Sequence, residues 1–130
     1  MDLCNQNDIK GLLARHGFRF SKSMGQNFLI QSWVPQEIAE ASGAGPGCGV
    51  LEVGPGIGPL TRELAKRADQ VVSVELDRAL LPILEETLSD FPNVCIVPGD
   101  ILKLHISQVV QEKLGGLTPL ACANLPYNIT

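Results

Sequence analysis

The four cysteines of this 130-residue chain, Cys4, Cys48, Cys95 and Cys122, are scattered with no C-x-x-C pair among them. That spacing excludes the usual frames of a zinc site or a disulfide scaffold. Three of the four sit in apolar runs, where a thiol behaves as a small hydrophobe, so all are expected to be reduced core residues of a cytoplasmic protein. No apolar stretch approaches the roughly 18 residues of a membrane span, and no charged-then-apolar signal segment opens the chain. Internal repeats and low-complexity tracts are also missing. His16, His105 and Trp33 carry no motif and read as structural or surface residues. What remains is an ordinary soluble composition, 45% hydrophobic and 18% charged, that can bury one normal core.

The net charge of −4 argues against a protein bound to nucleic acid over its whole surface. The charge is uneven, however. Residues 1–30 carry Lys10, Arg15, Arg19 and Lys22 against Asp2 and Asp8, a balance of +2, which leaves −6 for the rest. A basic arm on an acidic body fits either a solvated surface or a phosphate-contacting arm.

Periodicity divides the chain into short apolar strands and helical stretches. Asp8 to His16 reads as a helix behind Asn7 or Asp8 as cap, with Gly17 to end it. Trp33 to Ala41 reads as a second helix, its face expected from Trp33, Val34, Ile38 and Ala41. Strands are expected at Cys48–Val53, Val71–Leu76, Val94–Val97 and Leu120–Ala123. Between them lie helical stretches at 59–68, at 80–91, where Pro82 must lie in the first turn or kink the helix, and at 101–114. Alternation of this kind predicts βαβ units and a parallel sheet.

The first strand breaks into Gly54-Pro55-Gly56-Ile57-Gly58 before a helix resumes with Pro59, Leu60 and Leu64. Such a turn lets a ligand lie against bare backbone at the amino end of a helix. A dinucleotide fingerprint would place its third glycine where Pro59 stands, so that pattern fails. The pattern present is Glu52-x-Gly54-x-Gly56-x-Gly58. Glu75 follows Gly54 by 21 residues, close to the ~20-residue offset at which a carboxylate takes ribose hydroxyls. Asp77 is left to cap the next helix. Asp100 follows the third strand, placed to accept from an exocyclic adenine amine, and Asn124 follows the fourth. All four positions fall at the carboxyl ends of their strands, the edge where such sheets bind ligands. Glu52 is expected to be buried and satisfied by a backbone amide or a cation.

Asn124-Leu125-Pro126-Tyr127 carries the most specific chemistry. An aromatic amine is a poor nucleophile because its lone pair is delocalised. Acceptors that bind both amine hydrogens favour the pyramidal nitrogen, and the Asn124 side-chain oxygen with an adjacent backbone carbonyl supplies two. Pro126 sets the turn. Tyr127 offers a stacking face to an extruded base.

Taken together, Gln26-Asn27-Phe28-Leu29, VLEVGPGIGPLT, VVSVELDRAL, PGDIL and ANLPYNIT resemble, in order and spacing, the ribosomal RNA adenine dimethyltransferase family. The resemblance runs from Phe18 onward and is nearer the small-subunit enzymes than the macrolide-resistance branch. It implies an α/β fold, Rossmann-like, of the class I S-adenosylmethionine-dependent methyltransferases, incomplete at its C-terminal side. It also implies residues 1–45 as a helical, RNA-contacting arm and residues 46–130 as the partial cofactor domain. The cofactor is then S-adenosyl-L-methionine, with Asn27 and Leu29 touching it and Gly54, Gly56 and Gly58 against its methionine part. Glu75 and Leu76 would serve the ribose, Asp100 and Ile101 the adenine, and Asn124, Leu125, Pro126 and Tyr127 the target amine. The implied substrate is small-subunit ribosomal RNA, dimethylated at two adjacent adenosines in a hairpin near its 3′ end. No metal is called for.

Family members continue for about as long again, so the resemblance implies a cofactor half whose fourth strand is an exposed apolar edge prone to self-association. Two other readings compete. A nicotinamide-dependent oxidoreductase could use Glu75, but has Pro59 against it. A non-catalytic ribosome-assembly factor could use the basic arm.

Overall fold

The computed structural model describes residues 1–18 and 31–123, so Asn27, Leu29, Asn124, Leu125, Pro126 and Tyr127 lie outside the described residues. Within them, the elements follow as α1 Gln6–Arg15, α2 Trp33–Ala41, β1 Cys48–Val53, α3 Pro59–Arg67, β2 Gln70–Glu75, a 3-10 turn Arg78–Leu80, α4 Leu81–Thr87, β3 Val94–Pro98, α5 Ile106–Leu114 and β4 Thr118–Ala123. The four strands form one parallel sheet in the order β3-β2-β1-β4. β1 pairs with β2 through Val50–Val71 and with β4 through Val50–Leu120, which makes the strand ahead of the glycine turn an interior one.

Strand alternation sends successive side chains of β1 and β2 to opposite faces. On one face Val50 and Val71 pack with Ala39 of α2 and with Leu60, Leu64 and Ala65 of α3. On the other, Leu51, Val72 and Val74 pack with Leu114 of α5. A third cluster joins Ile9, Leu12 and Leu13 of α1 to Leu80 and Ile83 and, from the glycine turn itself, to Ile57. The amino-terminal helix is thereby packed onto the turn. Arg15 and His16 add ion-pair and hydrogen-bond contacts to Glu86 of α4.

Several expected boundaries and faces are corrected. The cap of α1 is Asn5, whose side chain accepts from the Asp8 N–H, not Asn7 or Asp8; the helix starts one turn earlier than its apolar stripe shows. On α2 the buried residues are Pro35 and Ala39, while Trp33 is 59% exposed and Ala41 is also exposed. The helix expected from Ile101 begins only at Ile106, because Asp100 turns the chain first, its carboxylate accepting from the Leu102 N–H. β4 begins at Thr118, two residues before its apolar run, and β2 ends at Glu75, leaving Leu76 68% exposed. The four cysteines are free, as expected, but half-buried at the margins of the core.

β4 has a strand neighbour only on its β1 side among the described residues. The Thr118 N–H donates to the Gly47 carbonyl, so by alternation Pro119, Ala121 and Ala123 turn their backbone groups to the free edge. Pro119 has no N–H to offer there. Proline thus removes one donor from that edge, while Ala121 and Ala123 keep theirs and four of the six β4 side chains are exposed.

Candidate cofactor site

The site starts from what glycine permits. Gly54, Gly56 and Gly58 have φ of 71°, 63° and 103°, left-handed values that L side chains rarely adopt, so the chain can double back at once from β1 into α3. Gly58 is the residue before α3 and carries no side chain to cap it; Pro59 stands in the first turn, where its missing N–H costs nothing. The Gly54 N–H donates to the Val74 carbonyl of β2, and the Gly58 N–H closes a turn on the Pro55 carbonyl.

Glu75 is bound into this turn. One carboxylate oxygen accepts the Gly56 N–H at 3.2 Å and the other accepts the Asp77 N–H at 2.9 Å. Asp77 in turn accepts from the Ala79 N–H, capping the 3-10 turn as its sequence position predicts. The Glu75 carbonyl accepts from the Gly99 N–H, which brings Asp100 to the same edge at the end of β3. Strand order therefore sets Asp100, Glu75 and the glycine turn side by side along the carboxyl edge. Leu76 is exposed there and Ile101 half-buried. Three of the four positions expected at this edge are brought together; the fourth, Asn124, falls outside the described residues.

Beneath the turn lies Glu52, fully buried on the β1 face covered by α3. One of its oxygens accepts from the Thr61 hydroxyl of α3 and from the Ser73 hydroxyl of β2 at 2.7 Å. Its partners are thus two hydroxyls rather than the backbone amide or cation expected, because its neighbours in register and on the helix above are small polar residues. The other oxygen, Oε2, has no hydrogen-bond partner among the described residues. Burial outweighs the two hydroxyls and, with the nearby Glu75 charge, lifts the Glu52 carboxyl to about 7, so it keeps its proton well above the ordinary carboxylate range and gives it up through neutral pH. The Cys122 thiol, opposite Glu52 in β4, is pushed up by burial and then by that carboxyl.

Sequence reasoning missed Thr61, Ser73 and Thr87. The Thr87 hydroxyl, buried in the last turn of α4, donates to the Ile57 carbonyl at 2.9 Å, while the Thr87 carbonyl accepts from Arg62 Nε of α3 at 2.8 Å. A hydroxyl within an apolar stripe gives no local sign of a partner 30 residues away. No group of three or more metal-binding side chains occurs among the described residues.

A parallel sheet whose interior strand runs through a glycine turn into a helix, with a carboxylate of the next strand on that turn, defines a Rossmann-like cofactor-binding domain. Solved structures carry this fold. It matches the 23S rRNA methyltransferase ErmE with a TM-score of 0.57 and 37% identity, over 72% of this chain and 45% of that one. A dimethyladenosine transferase from Plasmodium falciparum has the same fold, with a TM-score of 0.59 and 22% identity over 77% of this chain and 34% of that one. The family model of ribosomal RNA adenine dimethylase matches residues 17–130, and the chain belongs to that family. The ribosomal RNA small subunit methyltransferase A of Bacillus cytotoxicus is 46% identical over 130 residues, and that of Clostridioides difficile 48% over 128. The chain spans 44% of the length of each.

Proposed function

We propose that this chain is the cofactor half of an S-adenosylmethionine-dependent ribosomal RNA adenine dimethyltransferase. The observation that carries the reading is the Glu75 carboxylate seated on the Gly56 N–H, at the edge where Asp100 also stands. The residues fit the group. Positive-φ glycines leave bare backbone for its methionine part, Glu75 can take the ribose hydroxyls, and Asp100 the adenine amine. Exposed Leu76 and half-buried Ile101 offer apolar surface to the base. S-adenosylmethionine, when bound, supplies a methyl group on a sulfonium centre. What the protein adds is position. Asn27 and Leu29, in the proposed arm of residues 1–45, would touch the S-adenosylmethionine held by the domain of residues 46–130. Asn124 and the Leu125 carbonyl would hold both hydrogens of the target amine, Pro126 would shape their turn, and Tyr127 would stack on the extruded adenine.

The proposed substrate is small-subunit ribosomal RNA, dimethylated at two adjacent adenosines in a hairpin near its 3′ end, with action in the cytoplasm as a step of ribosome biogenesis. The proposed self-association runs through β4, where only Ala121 and Ala123 present outward N–H groups. Calorimetric titration with S-adenosylhomocysteine, with NAD as control, tests the cofactor reading. Binding of the first alone is the expected result, and binding of NAD instead refutes it. Asn124→Ala in a chain of the relatives' full length separates catalysis from an assembly role: methylation of small-subunit RNA should be lost, whereas an assembly factor would be unaffected.

A further inference from the structure

We infer that Thr87, at the end of α4, is a positioning residue that holds the glycine turn in its ligand-ready shape. The inference rests on the cofactor reading above. Three positive-φ glycines give the turn no stiffness of its own, and Gly58 leaves α3 without a side-chain cap. The turn must therefore be held from outside. Glu75 holds Gly56, but the same carboxylate is the one offered to ribose, so its grip on the turn changes when the site fills. Thr87 has no such second duty. Its hydroxyl donates to the Ile57 carbonyl inside the turn, and its own carbonyl accepts from Arg62 in the first turns of α3, so one residue grips the segment 57–62 at both ends. The fit is close as well as bonded: a Cβ on Gly58 would stand 3.1 Å from Thr87 Oγ1. Residue 87 is 1% exposed, so water cannot replace the hydroxyl.

α4 is itself tied to the amino-terminal helix through Glu86, which accepts from Arg15 Nη2 and is hydrogen-bonded to His16 Nε2 at 2.9 Å. Thr87 thus sits where the arm, α4 and the cofactor turn meet. The step from Thr87 to the ligand passes through the Ile57 carbonyl and the backbone of Gly56 and Gly58; Thr87 itself touches no ligand.

The test compares Thr87→Val, which keeps the shape and removes the donor, with Thr87→Ser, which keeps the donor. S-adenosylhomocysteine affinity is measured well below the melting temperature of each variant, and amide exchange of Gly56 and Gly58 is followed without ligand. The valine variant should bind at least tenfold more weakly, with Gly56 and Gly58 exchanging at least tenfold faster than in the parent while Val72 and Val74 of β2 change less. Serine should restore both to within about threefold. A folded valine variant with parent affinity and parent exchange overturns the inference, as does uniform acceleration of all core amides, which marks loss of global stability alone. If the parent chain does not bind S-adenosylhomocysteine, the cofactor reading falls by itself, and the exchange pattern still decides whether Thr87 holds the turn. Should Thr87→Val not fold, Thr87→Ala is read against the same two outcomes.

Discussion

Replacing Glu52 with glutamine tests the electrostatics beneath the site most directly. The Glu52 carboxyl is raised from the ordinary 4.5 to about 7 in the folded chain. Between those values the unfolded chain releases this proton and the folded chain keeps it. The sign follows: the contribution of Glu52 to stability is fully present below pH 4.5 and is lost as pH rises through 7. At about 1.4 kcal/mol per pH unit, the loss amounts to about 3 kcal/mol by pH 8. Glutamine keeps an oxygen to accept from Thr61 and Ser73 and cannot ionise. The stability of Glu52→Gln relative to the parent should therefore rise by about 3 kcal/mol between pH 4 and pH 8, wherever it begins. Urea unfolding at a series of pH values reads this difference. Glu63, held low by Lys66 and Arg67 against its burial, and Glu86, held low by Arg15 and His16, work in the opposite sense, losing stability as pH falls. Both occur in parent and variant alike, so they cancel in the difference. A difference that stays flat across this range would refute the picture of a proton held on Glu52.

Gly58→Ala forces an alanine to φ 103° against the Thr87 hydroxyl and should cost roughly 1–3 kcal/mol by denaturant unfolding; an unchanged midpoint would contradict the strain. Glu75→Ala removes the acceptor of two backbone N–H groups as well as the proposed ribose ligand, and should weaken S-adenosylhomocysteine binding at least tenfold, a carboxylate in such a position being worth on the order of 1.5–3 kcal/mol. Undiminished affinity in calorimetry would remove Glu75 from the site. The parent chain should sediment with a concentration-dependent mass, and Ala121→Pro, which removes an outward N–H of β4, should shift it toward monomer; a parent that stays monomeric at high concentration ends the edge-pairing proposal.

Much of this architecture is legible along the chain because it rests on local chemistry. β1 has the limits its apolar run predicts, because Gly47 and Gly54 at its two ends take φ of 83° and 71° and break the extended backbone, and α2 spans the Trp33–Ala41 that its apolar spacing predicts. The glycine turn is legible for the same reason: only glycine takes three left-handed positions in five residues, and a buried parallel strand ahead of it leaves few other readings. Parallel pairing follows from alternation of strand and helix, and with it the shared carboxyl edge of Gly54–Gly58, Glu75 and Asp100.

Tertiary structure decided what depends on a partner distant in sequence. Helix faces were among these: α2 turns Trp33 outward while Ala39 packs against Val50, Leu60 and Leu64 and Pro35 is buried, a matter of shape that hydrophobicity does not encode. So were the partners of Glu52, since a buried acid announces the need for hydrogen bonds but not whether an amide, a cation or two hydroxyls will meet it. The delayed start of α5 came from Asp100 capturing the Leu102 N–H, a competition between side chain and helix that periodicity cannot see. Thr87 is the clearest case. Nothing within its own helix distinguishes it from a filler of the apolar stripe, and it acquires a role only when folding lays the Ile57 carbonyl against its hydroxyl. Sequence alone determined that a glycine turn follows β1 and at which edge of the sheet it lies; the long-range contacts of the fold determined what it is bonded to there.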